Sequence, residues 1–212
     1  MPATSILSLA MAGLASAAAI ARSATTTETK AFNLMVRVDG ADFTPAVNGN
    51  WVTGVHIGAA LDAVVPTADF NLARTFYVNG TDEEIDGKQG RLISDASDQF
   101  FQGWEMAKDG NTLVSNVILA PGNRNPGVTI TEDGLAYLQP EDYMACNVPS
   151  PHGGTMVAIS QRDTTNNANL PPQCIKIRLI PQCAELHELG PDATYNHNYA
   201  RTSRCYEDAT VV

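Results

Sequence analysis

Apolar residues in this chain come in short runs of period two, broken by turn-forming residues roughly every ten to twenty positions. That rhythm restricts the fold more than any other feature. Phe32-Asn33-Leu34-Met35-Val36-Arg37-Val38 alternates, placing Phe32, Leu34, Val36 and Val38 on one face before Asp39-Gly40 ends the run. Trp51, Thr53, Val55 and Ile57 share a face over 51–57, which leaves His56 on the polar side. Further strands are expected over 75–78, stopped by Asn79-Gly80, over 90–94, and over 113–119, stopped by Pro121-Gly122. Residues 128–131 and 135–138 flank Glu132-Asp133-Gly134, a hairpin signal, and 143–148 with 155–160 flank another at 149–154. Ile175-Lys176-Ile177-Arg178-Leu179-Ile180 alternates throughout.

Helical signals are confined to the alanine-rich stretch 58–65 and to 95–104, where Phe100, Phe101 and Trp104 fall on helical spacing. Strands joined by turn chemistry, without βαβ alternation, predict an all-β fold: an antiparallel β-sandwich, or a barrel-like closure, over residues 32–185. A threonine-rich flexible leader over 22–31 precedes it. A polar surface loop is expected over 163–173, and an irregular tail tied by a disulfide over 186–212.

Residues 6–21 are uncharged and apolar, and too short for a comfortable membrane span of about 20 residues. With Ala19-Ile20-Ala21 as an A-x-A site, 1–21 is expected to be a signal peptide cleaved before Arg22. A buried N-terminal helix and a retained anchor are the competing readings. No later segment approaches a transmembrane span. The formal net charge of −10 disfavours nucleic acid as a partner, since an acidic surface repels phosphates.

All four cysteines, Cys146, Cys174, Cys183 and Cys205, lie in the last third. An extended chain from Cys174 to Cys183 spans about 30 Å, whereas a disulfide holds its Cα atoms within about 7 Å. That excludes Cys174–Cys183 and with it Cys146–Cys205. Two schemes remain: Cys146–Cys174 with Cys183–Cys205, which is favoured because it pins the tail, or Cys146–Cys183 with Cys174–Cys205. No C-x-x-C pair suggests zinc instead.

The patterns that carry chemistry are incomplete. Asp82-Glu83-Glu84-Ile85-Asp86-Gly87 has the carboxylates and glycine of a calcium loop, but its twelfth position is Ile93, so it reads as a solvated acidic turn. His152-Gly153-Gly154 resembles an esterase oxyanion loop, yet no G-x-S-x-G elbow accompanies it. His56, His152, His187 and His197 are scattered, without metal-ligand spacing. Glu105, Glu141 and Asp142 sit beside aromatics, as glycosidase carboxylates do. Trp51, Trp104, Tyr137 and Tyr143 are candidate sugar-binding platforms. Asn79-Gly80-Thr81 is an N-glycosylation sequon, expected on an exposed turn. No cofactor or metal signature is present.

Phe32-Asn33-Leu34, the run Trp51-Val52-Thr53-Gly54-Val55-His56-Ile57-Gly58-Ala59-Ala60-Leu61, Phe76-Tyr77-Val78-Asn79-Gly80-Thr81, and Cys174 and Cys183 framing 175–182 carry a resemblance. In this order they resemble a family of small secreted fungal proteins of unknown function. The likeness covers most of 32–183. It implies a secreted β-rich fold without established activity and assigns no site residues.

The sequence therefore points to a secreted extracellular or cell-surface protein with a binding or structural role and no recognisable catalytic site. A carbohydrate-binding module and a small glycoside hydrolase are the alternatives. A cell-wall polysaccharide and a host protein are the candidate partners.

Overall fold

The computed structural model describes residues 24–108, 114–162 and 169–212. The expected signal peptide, Leu113 and most of the 163–173 loop lie outside these residues. The strands are β1 (Thr26–Thr29), β2 (Ala31–Val38), β3 (Trp51–Gly58), β4 (Leu61–Thr67), β5 (Thr75–Asn79), β6 (Arg91–Ser97), β7 (Phe100–Lys108) and β8 (Val114–Pro121). They continue with β9 (Thr129–Ile130), β10 (Leu138–Gln139), β11 (Tyr143–Pro149), β12 (Thr155–Arg162), β13 (Cys174–Ala184), β14 (Ala200–Arg201) and β15 (Ser203–Tyr206). One short helix, α1 (Asp82–Asp86), and two 3₁₀ turns, Phe70–Leu72 and Ala209–Val211, complete the described elements.

The fold is all-β, and its main sheet closes on itself. β2 pairs along its whole length with β13, from Ala31 opposite Ala184 to Val38 opposite Ile177. Its other edge is shared by β5, at Phe32 and Asn33, and β3, at Met35. β8 is shared in the same way. One edge pairs with β7, and the other is divided between β12 and β4. Hydrogen-bonded neighbours therefore run in a closed ring, β2–β5–β6–β7–β8–β12–β11–β13, with the β3–β4 hairpin wedged between β2 and β8. Closure removes sheet edges that would otherwise need protection.

The core follows from this closure. Phe32, Leu34, Val36, Phe76, Trp104, Leu119, Ile159 and Leu179 are all fully buried in one cluster. Trp104 packs edge-on to Phe76 at 5.8 Å and to Tyr143 at 5.9 Å. The alternation in β2 suggested one buried face. Instead every residue from Ala31 to Val36 is buried, because both edges and both faces are covered. The one polar member, Asn33, is satisfied: its Nδ2 donates to the Arg74 carbonyl at 2.9 Å.

The structure corrects several local expectations. Residues 58–65 are not helical but form the end of β3, a tight turn and β4, with Ala60 in the left-handed region at φ 57°. Residues 95–104 are not helical either, but belong to the β6–β7 hairpin. In both places tertiary pairing overrides local helix propensity. The leader contains β1, which pairs with β15 from Thr26–Tyr206 to Thr29–Ser203. The tail is not irregular throughout. It supplies β14 and β15 to the main sheet, and Cys205, Tyr206 and Ala209 to the core.

Residues 82–86 form α1 rather than an open acidic turn. Thr81 and Glu84 make a capping box, and Glu84 reaches Arg91 Nη1 at 2.5 Å. Of the two open disulfide schemes, the structure has Cys146–Cys174 and Cys183–Cys205. Cys146 and Cys174 lie directly opposite each other on β11 and β13.

Candidate binding groove

Main-core side chains from β8, β11 and β12 include Val117, Ala145 and Ile159. The next positions along each strand point the other way, by the period-two rule. On that outer face the register aligns Asn116 with Ser160, Ala158 with Cys146 and, across the disulfide, Cys174, and Met156 with Val148. Ala158 and Ser160 are small, so the sheet is locally hollow. A groove of about 630 Å³ lies there, within the few-hundred-to-thousand Å³ range of small-molecule sites. The β3–β4 hairpin contributes Ile57 and Ala63 to one wall, and the 149–151 turn and Gln173 contribute to others.

The groove is mostly apolar, with Asn116 and Ser160 at one end and Ser150 in the turn at the other. Ser160 is 1% exposed, and its hydroxyl points to Asn116 Oδ1 at 3.5 Å. The turn at the opposite end is held from outside, where His152 Nε2 lies 2.8 Å from the His56 carbonyl. A second hollow of about 340 Å³ shares Ser150 and Met156 with the first and is walled by Phe43, Val47 and Val65. Asp42 fixes the loop that carries Phe43 and Val47. Its carboxylate accepts from the Phe43, Val47 and Asn48 N–H groups at 2.7–3.1 Å. Burial pushes the Asp42 carboxyl up, but these bonds outweigh it and hold the group below the usual carboxylate range.

A polar, aromatic cluster lies elsewhere, where the tail crosses the β6–β7 hairpin. His197 Nε2 is 3.0 Å from Asp95 Oδ2, and the Tyr77 hydroxyl donates to Asp95 Oδ1 at 3.1 Å. The Tyr195 hydroxyl donates to the Ser97 carbonyl at 2.9 Å, and Thr194 N–H to the Asp98 carbonyl at 3.0 Å. His187 Nε2 lies 3.6 Å from Asp98. The cluster fastens the tail to the sheet. Among the described residues no hydrogen bond joins a serine, threonine or cysteine side chain to a histidine ring, the Ser150 hydroxyl accepting only from the His152 backbone N–H, so the nucleophile–base contact of a triad is not formed here. Nor do the described residues bring three or more His, Cys, Asp or Glu side chains together in a metal-binding group.

The residues singled out by sequence do not converge. Trp104 and Tyr143 are fully packed, and Trp51 is 9% exposed with Phe70 edge-on at 4.8 Å. The fully buried rings of Trp104 and Tyr143 offer no sugar platform. Tyr137 is half-buried, has Arg178 at 5.5 Å over its ring and donates to Glu141 at 2.6 Å. Glu105 sits 3.4 Å from Arg124, and Asp142 3.0 Å from Arg162. The three acidic residues thus have separate partners. Asn79 is not on an exposed turn. It ends β5, half-buried, with Arg91 of β6 on one side and Ala200 of β14 on the other. The Thr81 hydroxyl of the sequon accepts from Glu84 N–H as the α1 cap.

Sequence reading missed the groove. The one visible signal was the alternation Met156, Ala158, Ser160 along β12, with small residues at two of its three positions.

A family described only as a domain of unknown function, DUF7907, matches residues 29–183, and this chain belongs to it. The matched span ends at Cys183, so β14 and β15 lie beyond it. The chain is also 38% identical over 197 residues to the antigenic protein SchS34 of Stachybotrys chartarum, covering 86% of this chain and 88% of that relative. No solved structure matches the chain. No helix among the described residues is long and apolar enough to cross a membrane.

Three phenols are held protonated far above their ordinary value of about 10. Burial is the main cause for Tyr77, Tyr143 and Tyr195, and Asp95 adds to it for Tyr77 and Tyr195. A raised folded-state value gives stability that is intact below about pH 10 and lost as pH rises toward that value. Absorbance at 295 nm should therefore show these three ionising late, in a step that coincides with loss of β-sheet circular dichroism. Titration of all 6 tyrosines together near pH 10, with the fold intact, would contradict this.

Proposed function

We propose that this chain is an extracellular protein that binds an apolar small molecule in the groove beside Cys146–Cys174. The observation that carries the reading is the groove itself: small and apolar residues on the outward face of β8, β11 and β12, with Ser160 and Asn116 supplying polarity at one end. Apolar pockets with a few convergent polar groups are the usual form of small-molecule sites. Two disulfides support an oxidising compartment. A relative named as antigenic supports exposure outside the cell. The packed aromatics and separately paired acids lend less to the carbohydrate-binding and glycosidase alternatives.

A neutral solvatochromic dye such as Nile red should brighten and shift to the blue on the wild-type protein. Ala158→Phe fills the floor, and Val148→Lys places a charge in it. Either variant, once shown folded by circular dichroism, should weaken binding at least about tenfold, which is ~1.4 kcal/mol. Unchanged dye binding in both folded variants would exclude the groove.

The compartment has its own test. Expression in a glycosylating secretory host should release protein beginning at Arg22, with a glycan on Asn79 added before β5 and β14 enclose that residue. Recovery of soluble intracellular protein with Met1 intact would overturn secretion. An apparent mass unchanged by enzymatic deglycosylation would remove Asn79 as an acceptor.

A further inference from the structure

A circuit of polar groups links the wedged β3–β4 hairpin to strands with which it shares no pairing. Asp62 on β4 is 8% exposed and receives Arg74 Nη2 at 2.6 Å. Gly54 makes room for that pair, since a Cβ there would lie 3.0 Å from the Asp62 Cβ and 3.3 Å from Arg74 Nη2. Arg74 Nη1 then donates to the Asp95 carbonyl on β6 at 3.4 Å. Ser94, the preceding residue, lies directly opposite Gln102 on β7. Gln102 Nε2 donates to the Ala60 carbonyl at 3.0 Å, in the turn that leads back to Asp62.

The circuit has one gap. Ser94 is 1% exposed and Gln102 2%, and their side chains share a face. Yet neither Ser94 Oγ nor Gln102 Oε1 has a hydrogen-bond partner. Directly opposite residues place their Cβ atoms about 5 Å apart. Two buried oxygens without partners on facing residues each carry a desolvation penalty that a shared donor would relieve. Turning the Gln102 amide over does not help, because its oxygen would then face the Ala60 carbonyl. Facing buried polar groups that make no direct hydrogen bond to each other are the setting in which a bridging water sits.

We propose that an ordered water molecule occupies this position, donating to Gln102 Oε1 and bonded to Ser94 Oγ. It closes the circuit Asp62–Arg74–Asp95/Ser94–water–Gln102–Ala60 and so fastens the β3–β4 hairpin, one wall of the groove, to β6 and β7. The proposal does not depend on what the groove binds.

A crystal structure of the wild-type protein at about 1.5 Å or better tests it without any variant. Expected is a single well-ordered water within about 3.2 Å of both Ser94 Oγ and Gln102 Oε1. A direct Ser94–Gln102 hydrogen bond, or no density between them, overturns it. In Ser94→Ala crystals the same water should persist on Gln102 with a higher B-factor. An unchanged B-factor would show that Ser94 takes no part in holding it.

Discussion

The pairing of β2 with β13 is the contact on which the other parts depend. It joins the N-terminal half of the chain to the C-terminal third across the full length of β2. It turns an open sheet into a ring and buries Ala31 to Val36 on every side. The Cys183–Cys205 disulfide ties β13 to β15, and β15 in turn holds β1. Ala209 N–H donates to Gln182 Oε1 at 3.0 Å, and Ala136 N–H to the Tyr206 hydroxyl at 2.9 Å, so the tail and the β9–β10 ribbon pack beside this seam. The tail is therefore a structural part of the domain, although the matched family span stops at Cys183.

Once the ring is closed, the outward face of β8, β11 and β12 is left over from core formation. There the chain places Ala158 and Ser160, which are too small to fill the surface, between larger neighbours. The Cys146–Cys174 bond locks the registers of β11 and β13 beneath that hollow. The β3–β4 wedge forms its wall. Groove shape is thus set by the long-range pairing of strands far apart in sequence, and by the polar circuit around Arg74.

Much of the fold was legible in the sequence, because half-buried strands show period two. The runs at 32–38, 51–57 and 175–180 and the hairpin over 143–160 appear as strands with bounds close to those expected, while the expected hairpin over 128–138 shrinks to two residue pairs, Thr129–Ile130 with Leu138–Gln139. The stretches at 58–65 and 95–104 were misread because alanine content and aromatic spacing are local signals, whereas their strand state comes from pairing, with β8 as a partner of both. The Thr81-x-x-Glu84 capping box was visible and was overlooked in favour of the acidic run. β1 and β15 carry no apolar rhythm and exist because each supplies the other's hydrogen bonds. The groove was the least legible part. Which faces point outward, and which small residues align, depends on the register between strands, and single-strand periodicity does not contain it. Two of the aromatics chosen as platforms, Trp104 and Tyr143, lie in the core, as large rings most often do.

Native-state hydrogen exchange tests the central role of the β2–β13 seam most directly. Amides of Met35, Arg37, Arg178 and Ile180, which point across the seam while Val36 N–H turns to the Asn50 carbonyl, should exchange most slowly, and only through global unfolding, with β6–β7 and the 186–199 segment opening at lower free energy. Faster exchange in β2 and β13 than in the β6–β7 hairpin would contradict the account, since the ring would then be held together elsewhere.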